Sequence, residues 1–169
     1  MADATNVALG VCSVSFDSTD LGHTKGGVEF TYEPTWHDVT VDHYGESIVR
    51  KRLVGETAMA KVPLAEYTIA NANIAMPAST IEGGGDRVEV GSAAGKSSDD
   101  LAAELVLTPV DAEGDEHTIT IHKAMVANAI TIAHVNDGER ILECEFHALV
   151  DESKENGNHL FSIGDPAAE

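Results

Sequence analysis

Positive charge is scarce in this chain. Ten lysines and arginines stand against 29 aspartates and glutamates, a formal charge of −19 over 169 residues. Such a surface repels nucleic acid and anionic membranes, which excludes a protein that grips phosphate backbones for its function. An acidic surface also stays soluble in a saline habitat, and composition alone leaves both origins open. Cysteine is nearly absent: Cys12 and Cys144 each sit among alternating apolar residues, where a thiol serves as a small buried hydrophobe. That excludes a disulfide framework and argues against a zinc site. Long apolar runs are missing too, for no stretch approaches the roughly 18 residues of a membrane span. The opening MADATNVALGVCSVSF has neither the basic start nor the continuous apolar run of a secretory signal, so the chain is expected to be made in the cytoplasm and to stay there until something larger uses it.

What is present is period-two alternation, with β-branched residues on one face and polar ones on the other, the pattern of half-buried antiparallel strands. It predicts strands near 7–16, 28–33, 36–42, 57–62, 87–90, 103–109, 117–122, 129–134 and 141–151. Turn chemistry separates them at DSTD (17–20), KGG (25–27), EGGGD (82–86), DAEGDE (111–116) and NDGE (136–139). One segment, PLAEYTIANANIAM (63–76), opens with Pro63 and repeats Leu64, Tyr67 or Thr68, Asn71 and Ile74 at helical spacing, which predicts one helix ending before Pro77. Residues 42–56, with Gly45 and Gly55, read as a long loop, and loops of that length tend to be functional or disordered. The length suits a single domain, 1–169, with flexible termini.

Four stretches invite a chemical reading. His37, Asp38, Asp42 and His43 lie within seven positions. On a strand at roughly 3.3 Å per residue the two histidines stand about 20 Å apart and the two aspartates about 13 Å, too far to share an ion. GSAAGKSS (91–98) is one residue short of a phosphate-binding loop and lacks the surrounding alternation of strands and helices. Glu143, Glu145 and His147 line one face of a strand, a spacing open to acid–base work but equally that of a solvated face. DAEGDE is too short for a calcium loop and reads as a tight turn. No catalytic residue, cofactor or metal is assigned.

The order of features from 21 to 77 resembles the major tail tube proteins of long-tailed bacteriophages: LGHTKGGVEFTYEP, then DVTVDHYGE, then LVGETAMAKVPLAEYTI, then AMP. LFSIGD (160–165) resembles the family's ending, while residues 82–116 carry no matching motif. The resemblance implies a mainly β fold, a β-sandwich or barrel-like domain with one flanking helix, and six-membered rings whose inner strands join into a continuous barrel. The rings would stack into a virion tail tube assembled in the host cytoplasm. The implied partners are further copies of the chain, a tape-measure protein and tail tip or terminator proteins. DNA would pass only as cargo, with no membrane binding and no cofactor. A contractile-tail or type VI secretion-like tube is the near alternative. A monomeric β-sandwich binding module, or an enzyme using the 143–147 face, would come from another class.

Under that resemblance Glu29, Thr31 and Glu33, and on the next strand Asp38, Thr40 and Asp42, are expected to face a lumen whose carboxylates repel DNA. Tyr44, Gly45, Arg50, Lys51 and Arg52 are expected at an interface between subunits or rings. The tripeptide Arg50-Lys51-Arg52 gathers three of the ten basic residues and would attract the acidic surface of an identical copy.

Overall fold

The computed structural model describes residues 10–91, 94–110, 114–154 and 158–165. The predicted start of the first strand (7–9) and the termini expected to be flexible lie outside them, as do 92–93 of GSAAGKSS and 111–113 of DAEGDE. The fold is mainly β with one helix. In chain order the elements are β1 (Cys12–Phe16), β2 (Thr19–Asp20), β3 (Glu29–Thr40), β4 (Ile48–Leu64), α1 (Ile69–Ala75), β5 (Thr80–Glu82), β6 (Arg87–Glu89), β7 (Ala103–Pro109), β8 (Ile119–Val126), β9 (Leu142–Ala148) and β10 (Phe161–Ile163). One antiparallel sheet runs β2-β1-β7-β8-β9-β4-β3, with β10 added on β8, and β5 and β6 form a separate hairpin.

Alternation explains how this sheet folds onto itself. Leu142, Cys144 and Phe146 of β9 are fully buried while Glu143 between them and His147 after them are exposed. Ala60, Val62 and Leu64 of β4, Leu105 and Leu107 of β7, and Val14 of β1 point into the same core. Strands far apart in pairing order meet across it: the rings of Phe16 (β1) and Phe146 (β9) lie 5.2 Å apart, and those of Phe30 (β3) and Phe161 (β10) 4.9 Å apart, edge to face. Two layers therefore enclose one core, and β8 belongs to both. Its first half pairs with β10 and its second half with β9, while β7 pairs with it from Ile119 to Ala124. The change occurs where the register slips between Ala103 and Leu105, giving β8 one extra residue.

The helix is shorter than predicted. Pro63 and Leu64 end β4, because Val62 and Leu64 already alternate into the core and the ladder with β9 runs to Leu64 opposite Leu142. Thr68 is the N-cap: its hydroxyl accepts the Asn71 backbone N–H at 3.1 Å. Asn71 is itself buried, and its amide donates to the carbonyls of Leu21 (3.0 Å) and Glu66 (2.9 Å), tying the helix to the segment before β3. Gly22 sits there at φ +77°, against the Glu66 carboxylate that accepts the His23 backbone N–H at 2.9 Å; any Cβ would collide with that carboxylate.

Three further expectations are corrected. The predicted strands 28–33 and 36–42 are one continuous strand, β3. The predicted loop 42–56 is mostly the first half of β4, so β3 and β4 form a long hairpin whose tip is a 3₁₀ turn at Asp42–Tyr44 followed by Gly45 at φ +60°. Two register shifts, which leave Val49 and Val54 as extra residues on β4, break the period-two pattern and hide the strand from sequence. Finally, residues 129–134, predicted as a strand, belong to none of the strands.

Candidate functional site: an acidic sheet face and a projecting arm

The face of β3, β4 and β9 turned away from the core is acidic. Register sets Glu29 of β3 opposite Lys61 of β4, and Lys61 opposite Glu145 of β9. The next row is Thr31, Met59 and His147, followed by Glu33 opposite Thr57, whose hydroxyl donates to the Glu33 carbonyl at 3.4 Å. Glu143 and Glu145 thus join Glu29 and Glu33 on one surface, with Lys61 the cation among them. Nothing local in the sequence foretells this, since β9 lies about 80 positions from β4 and the shared face depends on register.

The six residues expected on one lumen wall do not share a face. Glu29, Thr31 and Glu33 do. In one uninterrupted strand, however, Asp38 and Thr40 have the opposite parity and fall on the face of Phe30, Tyr32 and Trp36, while Asp42 lies in the tip turn. The two rows would be equivalent only if 28–33 and 36–42 were separate strands.

Beyond the core the hairpin becomes an arm. β4 bonds to β9 only from Met59 to Leu64, so its earlier part pairs with β3 alone. On one face of the arm Trp36 stands opposite Leu53 and Asp38 opposite Lys51, whose Nζ donates to Asp38 Oδ1 at 2.7 Å. On the other, His37 faces Arg52 and Val39 faces Arg50. The basic tripeptide is therefore split between faces, and it lies on a strand where a loop was expected. Among the described residues Arg50 and Arg52 make no ion pair. The arm also exposes apolar surface: Trp36 is 52% exposed, Ile48 50%, Val54 60% and Tyr44, at the tip beside Gly45, 68%. At the root, the Tyr32 hydroxyl donates to a Glu56 carboxylate oxygen, and this bond, with some burial, pushes the phenol's pKa up. Tyr32 and Glu56 border a cleft of about 370 Å³ with Val150, His159 and Phe161.

Among the described residues no group of three or more His, Cys, Asp or Glu side chains could hold a metal ion. His37 and His43 are separated by the end of β3, His43 lying in the tip turn. Burial pushes the Cys144 thiol up to about 12, so it is held as an unreactive core residue, and Cys12 is raised in the same direction. No described helix is long and apolar enough to cross a membrane. Compared with known proteins, the chain matches no family model and no curated sequence.

Proposed function

We propose that this chain is a structural subunit that polymerises with copies of itself, as stacked six-membered rings, into a hollow tube of the phage-tail kind through which DNA passes. The single observation that carries the reading is the arm, a two-stranded ribbon outside the core that exposes Trp36, Leu53 and Ile48 on one side and, on the other, Arg50 and Arg52, which have no ion pair among the described residues. A monomer gains nothing from such an element. Exposed apolar residues and open strand edges are aggregation hazards unless a partner covers them. A chain of net charge −19 offers the two arginines a complementary partner in its own acidic surface.

The acidic face supports the second half of the reading. A conduit must not hold its cargo, and every phosphate neutralised by a cation adds affinity that would slow passage. Beside the core, Glu29, Glu33, Glu143 and Glu145 around Lys61 make a wall that repels DNA, and Arg52 and Arg50, opposite His37 and Val39, share the parity of Glu33 farther out on the arm. In this reading the tape-measure and tail tip or terminator proteins are partners of the assembled tube, and the subunit needs neither catalysis nor a cofactor. Negative-stain microscopy of the purified protein tests it, with rings or hollow tubes expected. A single small species at every concentration and salt condition would overturn it.

A further inference from the structure

We infer that the cleft at the root of the arm is a binding site for a guanidinium group, that of an arginine side chain or of a small free guanidine. The site does not depend on self-assembly. Tyr32 of β3 and Glu56 of β4 line this cleft of about 370 Å³ together with Val150, His159 and Phe161. The rings of Tyr32 and Phe161 stand 5.6 Å apart and are tilted by 60°, so they present two non-parallel aromatic faces. Tyr32 is exposed and Phe161 half-buried, which leaves part of the pair open to a ligand.

Glu56 gives the cleft its carboxylate, and no lysine or arginine lines it. One carboxylate oxygen accepts the Tyr32 hydroxyl, yet among the described residues Glu56 forms no ion pair. His159 Nδ1 lies 3.0 Å from the Asp151 carbonyl, to which it can only donate, so Nε2 is the acceptor of the neutral ring. Glu56, Tyr32 and His159 therefore offer acceptors, beside aromatic surface, to whatever enters.

This chemistry selects the ligand by elimination. An anion is repelled by Glu56. A metal ion needs several ligands, and among the described residues no group of three or more His, Cys, Asp or Glu could hold one. A wholly apolar molecule would take the carboxylate out of water with no partner for its charge. An ammonium gives up its water reluctantly, whereas a guanidinium is planar and weakly hydrated, and it stacks on an aromatic face while its N–H groups reach a carboxylate. Val150, exposed at the same cleft, offers apolar surface to an alkyl stem.

Titration of the wild-type protein with acetyl-argininamide, followed by the NMR signals of the Tyr32 and Phe161 rings, tests the site. Saturable shifts are expected, with acetyl-citrullinamide, which keeps the shape and loses the charge, bound at least about tenfold more weakly. Glu56→Gln keeps an acceptor for the Tyr32 hydroxyl and should weaken acetyl-argininamide by at least about tenfold, while Glu89→Gln on β6 should not change it. No saturable shift up to about 50 mM, or equal affinity for the citrulline analogue or for Glu56→Gln, would overturn the site and leave the tube reading intact. The source of the guanidinium is read from assembly. If Arg50 or Arg52 of a second copy supplies it, acetyl-argininamide and Glu56→Gln should each raise the concentration needed for assembly; if a free guanidine does, binding persists and neither changes it.

Discussion

Lys51 and Asp38 face each other directly across β3 and β4, with the ammonium donating to the carboxylate at 2.7 Å. The pair is exposed, so it contributes little to stability. Its consequence is to cancel one of three adjacent positive charges and to leave Arg50 and Arg52 alone on the other face. The joint substitution of Arg50 and Arg52 by alanine should therefore raise the concentration needed for assembly by at least about fivefold at low salt, with a smaller effect at high salt. Lys51→Ala should change it little. Light scattering across a concentration series measures both, and equal damage from the two variants would contradict the split of the tripeptide between faces.

Trp36 is the chain's sole tryptophan and is 52% exposed on the arm. Covering the arm should move its emission to shorter wavelength in step with assembly. Trp36→Ser should leave the subunit's own stability within about 0.5 kcal/mol, as surface substitutions usually do, while weakening assembly. Unshifted emission in assembled protein would mean that the arm is not an interface.

Asn71 holds two backbone carbonyls, those of Leu21 and Glu66, from a buried position. Asn71→Ala takes its donor from the buried contact with the Leu21 carbonyl, while the Glu66 carbonyl keeps the Thr68 N–H at 3.2 Å, and should cost about 1–3 kcal/mol in a urea titration. Asn71→Asp should not restore the loss, because an ionised carboxylate cannot donate. An unchanged midpoint in Asn71→Ala would show that the amide bonds do not secure the helix.

The Lys123 ammonium donates to Asp99 at 2.6 Å, and this bond lowers the Asp99 pKa while raising that of Lys123. The sign differs at the two ends of the scale. A lowered carboxyl contributes stability above its ordinary range, near about pH 4, and loses it as pH falls through the folded value. A raised ammonium contributes below its ordinary range, near about pH 10.4, and loses it as pH rises through the folded value. The difference in urea midpoint between wild type and Asp99→Asn should thus be largest at neutral pH and shrink toward both extremes. Asp99 is mostly exposed, so the difference should be small. A difference independent of pH would rule the ion pair out as its source.

Much of the fold was legible because its signal is local. Strand β7 was predicted residue for residue at 103–109, and β9 lies inside the predicted 141–151, since buried and exposed residues alternate there without interruption. Cys144 reads as a core residue from its neighbours alone, and it is fully buried. The first half of β4 was lost because Val49 and Val54 each add a residue and reset the alternation. The helix was overextended at its start because Pro63 and Leu64 suit a first helical turn as well as a strand end, and contact with β9 decides between them.

By itself, then, the sequence determined an acidic, mainly antiparallel β domain with one helix, because side-chain periodicity and turn residues act over a few positions. Which carboxylates share a surface was decided only by tertiary structure. Parity along β3 separates Asp38 from Glu29, and register through β4 brings Glu145 level with Glu29 on either side of Lys61. Register is a relation between segments distant in the chain, so no local pattern encodes it.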